Sequence, residues 1–386
     1  MKRIISIICL VLVLCLSLGT LTACHSKDET AVTVNGHKIR TATYMCALLQ
    51  ADNEARTKVY EELSKAEDFD SSKEIDYWSQ TVDGKDYETW VRDRALALCK
   101  TYVATLQKCE ELGVKLTDEQ VSNTEYYASY NWSNNGYSYL YQPNGVSFET
   151  YLDYYKNSAL SSAYFLSIYG KDGAKALSDD EINKAISENF DLMNYLASAF
   201  TTDDGEIKDE DTIAAEKAKL ESYADKINNG IMTFAEASKD WNGEKEDAAT
   251  GDNEVTDTDE GEEKEKPLDE TAILIATADS DSSYASDYFD KVHTLEIGKA
   301  TVISEDDRNV LLVRGNLTGD PYYMKNLYND AVSLLKYSDF EKEHDEYAQS
   351  LEASVNSYAV KRFKLKDLDY SQYSQLVNYM NSANAQ

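Results

Sequence analysis

Apolar residues recur at three- and four-residue steps through Val91, Ala95, Leu98, Tyr102, Leu106 and Cys109. That period predicts one amphipathic helix over about 87–112, and Gly113 is its natural stop. Upstream, 31–34 and 37–39 read as two short strands around Asn35-Gly36, the pair that favours a two-residue hairpin turn. A helix follows from about Thr43. Thr117-Asp118-Glu119-Gln120 has the form of a capping box opening a further helix, and the signature recurs at Ser178–Glu181 and Thr233–Glu236. The first half of the chain therefore reads as mostly helical. From about Leu192 the pattern changes. Residues 193–200 are expected as a strand, 214–229 as a helix ending at Gly230, and 234–241 as a shorter helix. Residues 272–278 and 310–313 are strand-like, and helices are expected over about 323–335 and 339–354. No internal repeat is evident. The fold class predicted is α+β, mainly α.

The N-terminus carries a different pattern. Lys2 and Arg3 precede an apolar run over 4–18, broken only by Ser6 and Ser17. It is shorter than the roughly 20 residues a spanning helix needs and reads as a secretion signal. Leu21-Thr22-Ala23-Cys24 resembles the lipobox of bacterial lipoproteins, in which the signal is cut before a diacylated Cys. The resemblance implies a signal peptide over 1–23, lipidation at Cys24 and a tether over 24–30. Two acyl chains are enough for stable anchoring, so the membrane is an expected partner, met at its extracytoplasmic face.

Removing the signal leaves 363 residues, enough for two domains, and moves the net charge from −32 to about −34 because Lys2 and Arg3 leave with it. Nucleic acid and anionic headgroups would repel such a chain, so nucleic acid is excluded as a partner. Cys46, Cys99 and Cys109 show no metal-ligand spacing and read as small packing residues. No metal or other cofactor is expected. Residues 243–267 hold eleven acids and three lysines with almost nothing apolar, a composition read as a disordered acidic insertion. The chain has 29 tyrosines against nine phenylalanines. Eleven of those tyrosines lie in 126–169.

Val32-Thr33-Val34-Asn35-Gly36-His37-Lys38-Ile39, followed by a helix, resembles the start of the PrsA and SurA extracytoplasmic foldases. The stretch Lys108-Cys109-Glu110-Glu111-Leu112-Gly113-Val114-Lys115-Leu116-Thr117-Asp118-Glu119-Gln120-Val121 is similar to a junction of the same family. The middle of the chain resembles a parvulin-type prolyl isomerase at Tyr195-Leu196-Ala197, at Thr233-Phe234-Ala235-Glu236, at Leu295-Glu296-Ile297-Gly298 and at Val310-Leu311-Leu312-Val313. The resemblance implies a helical chaperone domain over 31–190, a parvulin-like domain over 191–319, and C-terminal helices over 320–386 that complete the first domain. Parvulins carry two facing histidines in their proline pocket. The matching positions here are Tyr195 and Asn309, so the resemblance implies a degenerate pocket. The expected partners are unfolded exported polypeptides. Tyr126, Tyr127, Tyr130, Trp132, Tyr137, Tyr139 and Tyr141 are the candidate client-binding residues, since aromatic side chains give large, tolerant contact area.

Three alternatives stay open on sequence: an active prolyl isomerase with a non-standard pocket, a solute-binding lipoprotein, and a structural surface protein. The anchor is directly testable. Cys24→Ala is expected to abolish incorporation of labelled fatty acid and to leave the precursor uncleaved or the protein released. Continued labelling of that variant would refute the lipoprotein assignment.

Overall fold

Asn35 and Gly36 take the positive φ values, 44° and 85°, of a two-residue hairpin turn. They close β1 (Thr30–Val34) onto β2 (His37–Arg40). The computed structural model describes residues 29–66, 69–70, 73–202, 204–243, 266–277 and 283–376. Cys24 and nearly all of the acidic insertion lie outside these.

After the hairpin come α1 (Thr41–Leu63), a second small hairpin of β3 (Thr81–Val82) and β4 (Lys85–Asp86), and α2 (Tyr87–Leu112). Gly113 ends α2 at φ 69°. Then follow α3 (Asp118–Ser133), α4 (Tyr137–Tyr141) and α5 (Phe148–Tyr169). The middle of the chain forms α6 (Asp179–Asn189), β5 (Phe190–Ala199), α7 (Glu210–Asn228), α8 (Phe234–Asn242), β6 (Ile273–Ala276), α9 (Phe289–His293), β7 (Ala300–Ser304), β8 (Arg308–Arg314) and α10 (Pro321–Asn326). The chain ends with α11 (Tyr328–Ser350), β9 (Ala353–Val355) and α12 (Ser357–Lys361). All three capping boxes form, each with a side chain accepting from the N3 amide and the N3 side chain accepting from the cap amide.

Several elements differ from expectation. The two C-terminal helices are α10 and one unbroken α11, because Lys336-Tyr337-Ser338 contains neither Gly nor Pro to interrupt it. Residues 353–355 are a strand paired antiparallel with β1, Val32 opposite Val355, where a helix end was expected. The buried row of α2 runs Val91, Ala95, Cys99, Val103, while Leu98, Tyr102 and Leu106 are only half-buried. Tertiary packing thus turned that helix slightly from the face its sequence pattern suggested.

Of the described residues, those up to Lys175 and from Ser338 onward form one compact unit, and Ala176–Tyr337 a second. The divisions fall at 175/176 and 337/338, whereas the sequence reading put them at 190/191 and 319/320. The shift at the first boundary has a clear cause. Helix α6 buries Ile182, Ala185 and Ile186 and packs on β5, which follows it without a break.

In the helical unit, α1 is buried nearly all round over its first half, as a central helix must be. Within it, Asp52 has no exposed surface. Its Oδ2 accepts from Arg56 Nε at 2.8 Å and from the Tyr370 hydroxyl at 2.6 Å, and its Oδ1 from the Tyr87 hydroxyl at 3.0 Å. The Arg56 guanidinium lies over the rings of Tyr77 and Tyr370, 4.6 and 4.5 Å from their centroids. Farther along, α11 buries Phe340, His344 and Ala348 at four-residue steps. His344 Nε2 lies 3.0 Å from Thr105 Oγ1 on α2, and its Nδ1 is buried with no partner among the described residues.

In the sheet unit, four antiparallel strands run in the order β6-β5-β8-β7. One face packs Leu196, Leu311, Val313 and Ala300 against Leu220, Tyr223 and Ile227 of α7 and Ala237 of α8. The other packs Met193, Ile275, Val310 and Leu312 against Phe289 and Val292 of α9.

Two predictions concern the helical unit, which holds Trp78, Trp90 and Trp132 as reporters while the sheet unit holds Trp241. Asp52→Ala removes the carboxylate that the half-buried Arg56 guanidinium and the Tyr370 hydroxyl share, leaving Tyr87 only the backbone carbonyl of residue 52, and is expected to destabilise this unit by about 2–3 kcal/mol in denaturant titration. A loss below about 1 kcal/mol would show that the cluster is not a stabilising centre. Burial pushes His344 below its ordinary 6.5, Asp345 raising it in part and Lys108 lowering it. The folded unit therefore binds that proton more weakly than the unfolded chain does. Its stability is complete above about pH 6.5 and falls as the pH drops through the window below. His344→Gln is expected to flatten that part of the stability–pH curve; an unchanged slope would assign the dependence to other groups.

Candidate functional site

Helix α3 divides its aromatics by helical phase. Thr124, Ala128 and Trp132, four residues apart, form its buried row. Tyr126, Tyr127 and Tyr130 lie on the opposite side and are 62, 58 and 45% exposed. The Tyr126 and Tyr127 rings meet edge to face at 5.3 Å. Tyr139, on the neighbouring α4, is 46% exposed. These four of the seven candidate residues offer a surface.

The other three do not. Trp132 and Tyr141 are buried and stack on each other at 6.2 Å, while Trp132 also meets Phe148 and Tyr151 at 5.4 and 5.3 Å. Tyr137 is half-buried between Tyr151 and Tyr373. Burial raises the Tyr141 hydroxyl well above its ordinary range, with neighbouring Cys46, Tyr154 and Tyr151 adding to it. These side chains form the aromatic floor that holds the exposed row in place.

The two pocket positions taken from the parvulin resemblance do not meet. Side chains alternate along a strand. Tyr195 lies opposite Leu312 and so belongs to the face of Met193 and α9. Asn309 lies opposite Ser198 and belongs with Leu311 and Val313 to the α7 face. Tyr195 is 49% exposed; Asn309 is buried, its Oδ1 accepting from Ser304 Oγ at 2.7 Å and its Nδ2 without a partner among the described residues. Beside it, Glu216 accepts from Ser198 Oγ at 2.6 Å and from Lys208 Nζ at 2.8 Å. Tyr195 and Asn309 therefore cannot floor one pocket.

The Tyr195 face carries a constellation the sequence reading missed. Asp191, buried on β5, accepts from Arg314 Nε of β8 at 2.8 Å, and its other oxygen lies 2.7 Å from His293 Nδ1. The His293 ring stacks on Phe289 at 4.9 Å. Arg314 Nη1 also donates to the carbonyls of His293 and Leu295, so the guanidinium caps the end of α9. Both carboxylate oxygens of Asp191 are thus engaged in fixing α9 to the sheet. No sequence signal marks this cluster, since Asp191 is 102 residues from His293 and 123 from Arg314. Beyond it the same face leaves Ile273 44% exposed, diagonal to Tyr195 across β5 and β6.

The described cysteines, Cys46, Cys99 and Cys109, are packing residues. Cys46 and Cys99 are buried, and desolvation pushes Cys99 up to about 12 and Cys46 further. Neither is a thiolate at neutral pH. Among the described residues there is no group of His, Cys, Asp and Glu that could hold a metal, and no helix long and apolar enough to cross a membrane.

No protein-family model matches the chain, and no curated relative matches it. Among solved structures, the chain is similar to the foldase protein PrsA from Streptococcus pneumoniae. The match covers 70% of this chain and 92% of that one, at 14% sequence identity and a TM-score of 0.35.

Proposed function

We propose that this chain is an extracytoplasmic chaperone that holds unfolded exported polypeptides, tethered to the membrane through lipid on Cys24. The observation that carries the reading is the exposed tyrosine row of α3 and α4, set on a buried aromatic floor. Large aromatic side chains standing in water bring favourable contact area to any partner that covers them. A tyrosine ring buried against a client contributes on the order of 1 kcal/mol. Several such rings without a deep pocket favour weak, sequence-tolerant holding over selection of one ligand. The sheet unit adds a second open apolar surface at Tyr195 and Ile273.

Prolyl isomerisation is the reading the geometry disfavours. Lowering a barrier near 20 kcal/mol needs preorganised polar groups around a twisted imide. Here the two matching positions lie on opposite faces of the sheet. The Asp191–His293–Arg314 cluster is already committed to fixing α9.

The full chain is expected to suppress aggregation of a thermally unfolding client enzyme. Replacing Tyr126, Tyr127, Tyr130 and Tyr139 together by Ser should reduce that protection severalfold without shifting the melting of the helical unit. In a proline-peptide assay the chain should accelerate isomerisation negligibly. Full protection by the serine variant would remove this surface from the function. Clear turnover abolished by Tyr195→Ala would make the chain an isomerase.

A further inference from the structure

The aromatic row of α3 lies in a stretch of unusual charge. Between Lys115 and Lys156 the chain has neither Lys nor Arg, but five carboxylates and nine tyrosines. Lys156, the first cation beyond, is held by Glu125 at 2.8 Å. In the first turn of α3, Asp118 and Glu119 are exposed. Residues three, four and seven apart share a helix row, so Glu119 lies in line with Tyr126, with Tyr127 and Tyr130 beside it. The outward face of α3 is therefore aromatic and anionic, with no cation of its own.

The same chain shows what such rings attract. Arg56 sits between Tyr77 and Tyr370, Arg362 lies 5.1 Å from the Tyr358 centroid, and Lys108 Nζ lies 4.1 Å from that of Tyr347. Wherever a cation of the helical unit comes within reach of a tyrosine face in these pairs, it rests on it. On α3 the rings are exposed, and among the described residues no cation lies over them.

We propose that this face selects cationic segments of unfolded polypeptides, extended stretches in which Arg or Lys stands among apolar residues. The inference rests on the reading of α3 and α4 as a holding surface and names what that surface prefers. The negative face of each ring attracts a guanidinium or ammonium group, and Asp118 and Glu119 add Coulomb attraction at the end of the row. A neutral segment gains only contact area, and an acidic one meets like charge. The net charge of −32 draws cationic chains toward the protein as a whole, but the rings supply the short-range part of the preference.

The test measures binding of three fluorescent peptides to the full chain. They share one apolar framework and carry four Arg, four Gln or four Glu at the same positions. The Arg peptide is expected to bind about tenfold more tightly than the Gln peptide, and part of that advantage should persist when added salt screens the long-range field. Tyr126→Ser/Tyr127→Ser/Tyr130→Ser should bring the Arg peptide down to the level of the Gln peptide. The corresponding triple Phe variant, which keeps the rings, should retain the preference. Tryptophan-monitored melting checks that both variants stay folded. Equal binding of the Arg and Gln peptides, lost together in the serine variant, would overturn this inference while leaving the holding function intact. An Arg preference unchanged in the serine variant would assign it to overall charge and overturn the inference. Failure of all three peptides to bind, with no protection of an unfolding client, would overturn the holding function itself.

Discussion

A carboxylate with no exposed surface is tolerated only when hydrogen bonds and an opposite charge replace the water it has lost. Asp52 meets that demand with groups from three separate places: Arg56 one turn along its own helix, Tyr87 at the start of α2, and Tyr370 near the end of the described chain. Because Tyr370 stands 318 residues away, the central helix gains the full set of partners for its buried charge only with the C-terminal segment in place. The pairing of β9 with β1 and the burial of Phe340, His344, Ala348 and Leu351 run in the same sense. The chain from Ala176 to Tyr337 is therefore an excursion from a helical unit that only the last residues complete.

Within that excursion the period of the strand governs the chemistry. A one-residue step moves a side chain to the other face of a sheet. A sequence match that assigns Tyr195 and Asn309 to one pocket is defeated by this parity alone, since Tyr195 pairs with Leu312 and Asn309 with Ser198. The titratable groups that do converge, Asp191, His293 and Arg314, spend their hydrogen bonds on one another and on the carbonyls that end α9. Their arrangement is that of a structural clasp, which leaves Tyr195 and Ile273 as an open apolar surface beyond it.

The tyrosines show how one residue type divides between architecture and surface. On α3, Trp132 follows Thr124 and Ala128 inward, while Tyr126, Tyr127 and Tyr130 fall outside that row by helical phase. Tyrosine tolerates both fates, because its ring packs with other aromatics and its hydroxyl is at ease in water. The rigidity of the buried cluster around Trp132 and Tyr151 lets the exposed row act as a surface of fixed shape.

Features whose interactions close within a few residues were legible in the sequence. Asn35-Gly36 dictated a hairpin turn, Gly113 ended α2, and three capping boxes opened helices at Thr117, Ser178 and Thr233, all because the relevant hydrogen bonds span four residues or fewer. The helix over Tyr87–Leu112 was readable for the same reason, its period being a local property. Strand β9, strand β7, the face of α2, the burial of Trp132 and Tyr141 and the clasp at Asp191 were decided only by the tertiary structure. Each depends on packing against partners outside its own element, from Asn309 five residues beyond Ser304 to Val355 at the far end of the chain from Val32. The sequence lists the tyrosines and the carboxylates, but only the packing of α3 on its neighbours determines which of them water can reach.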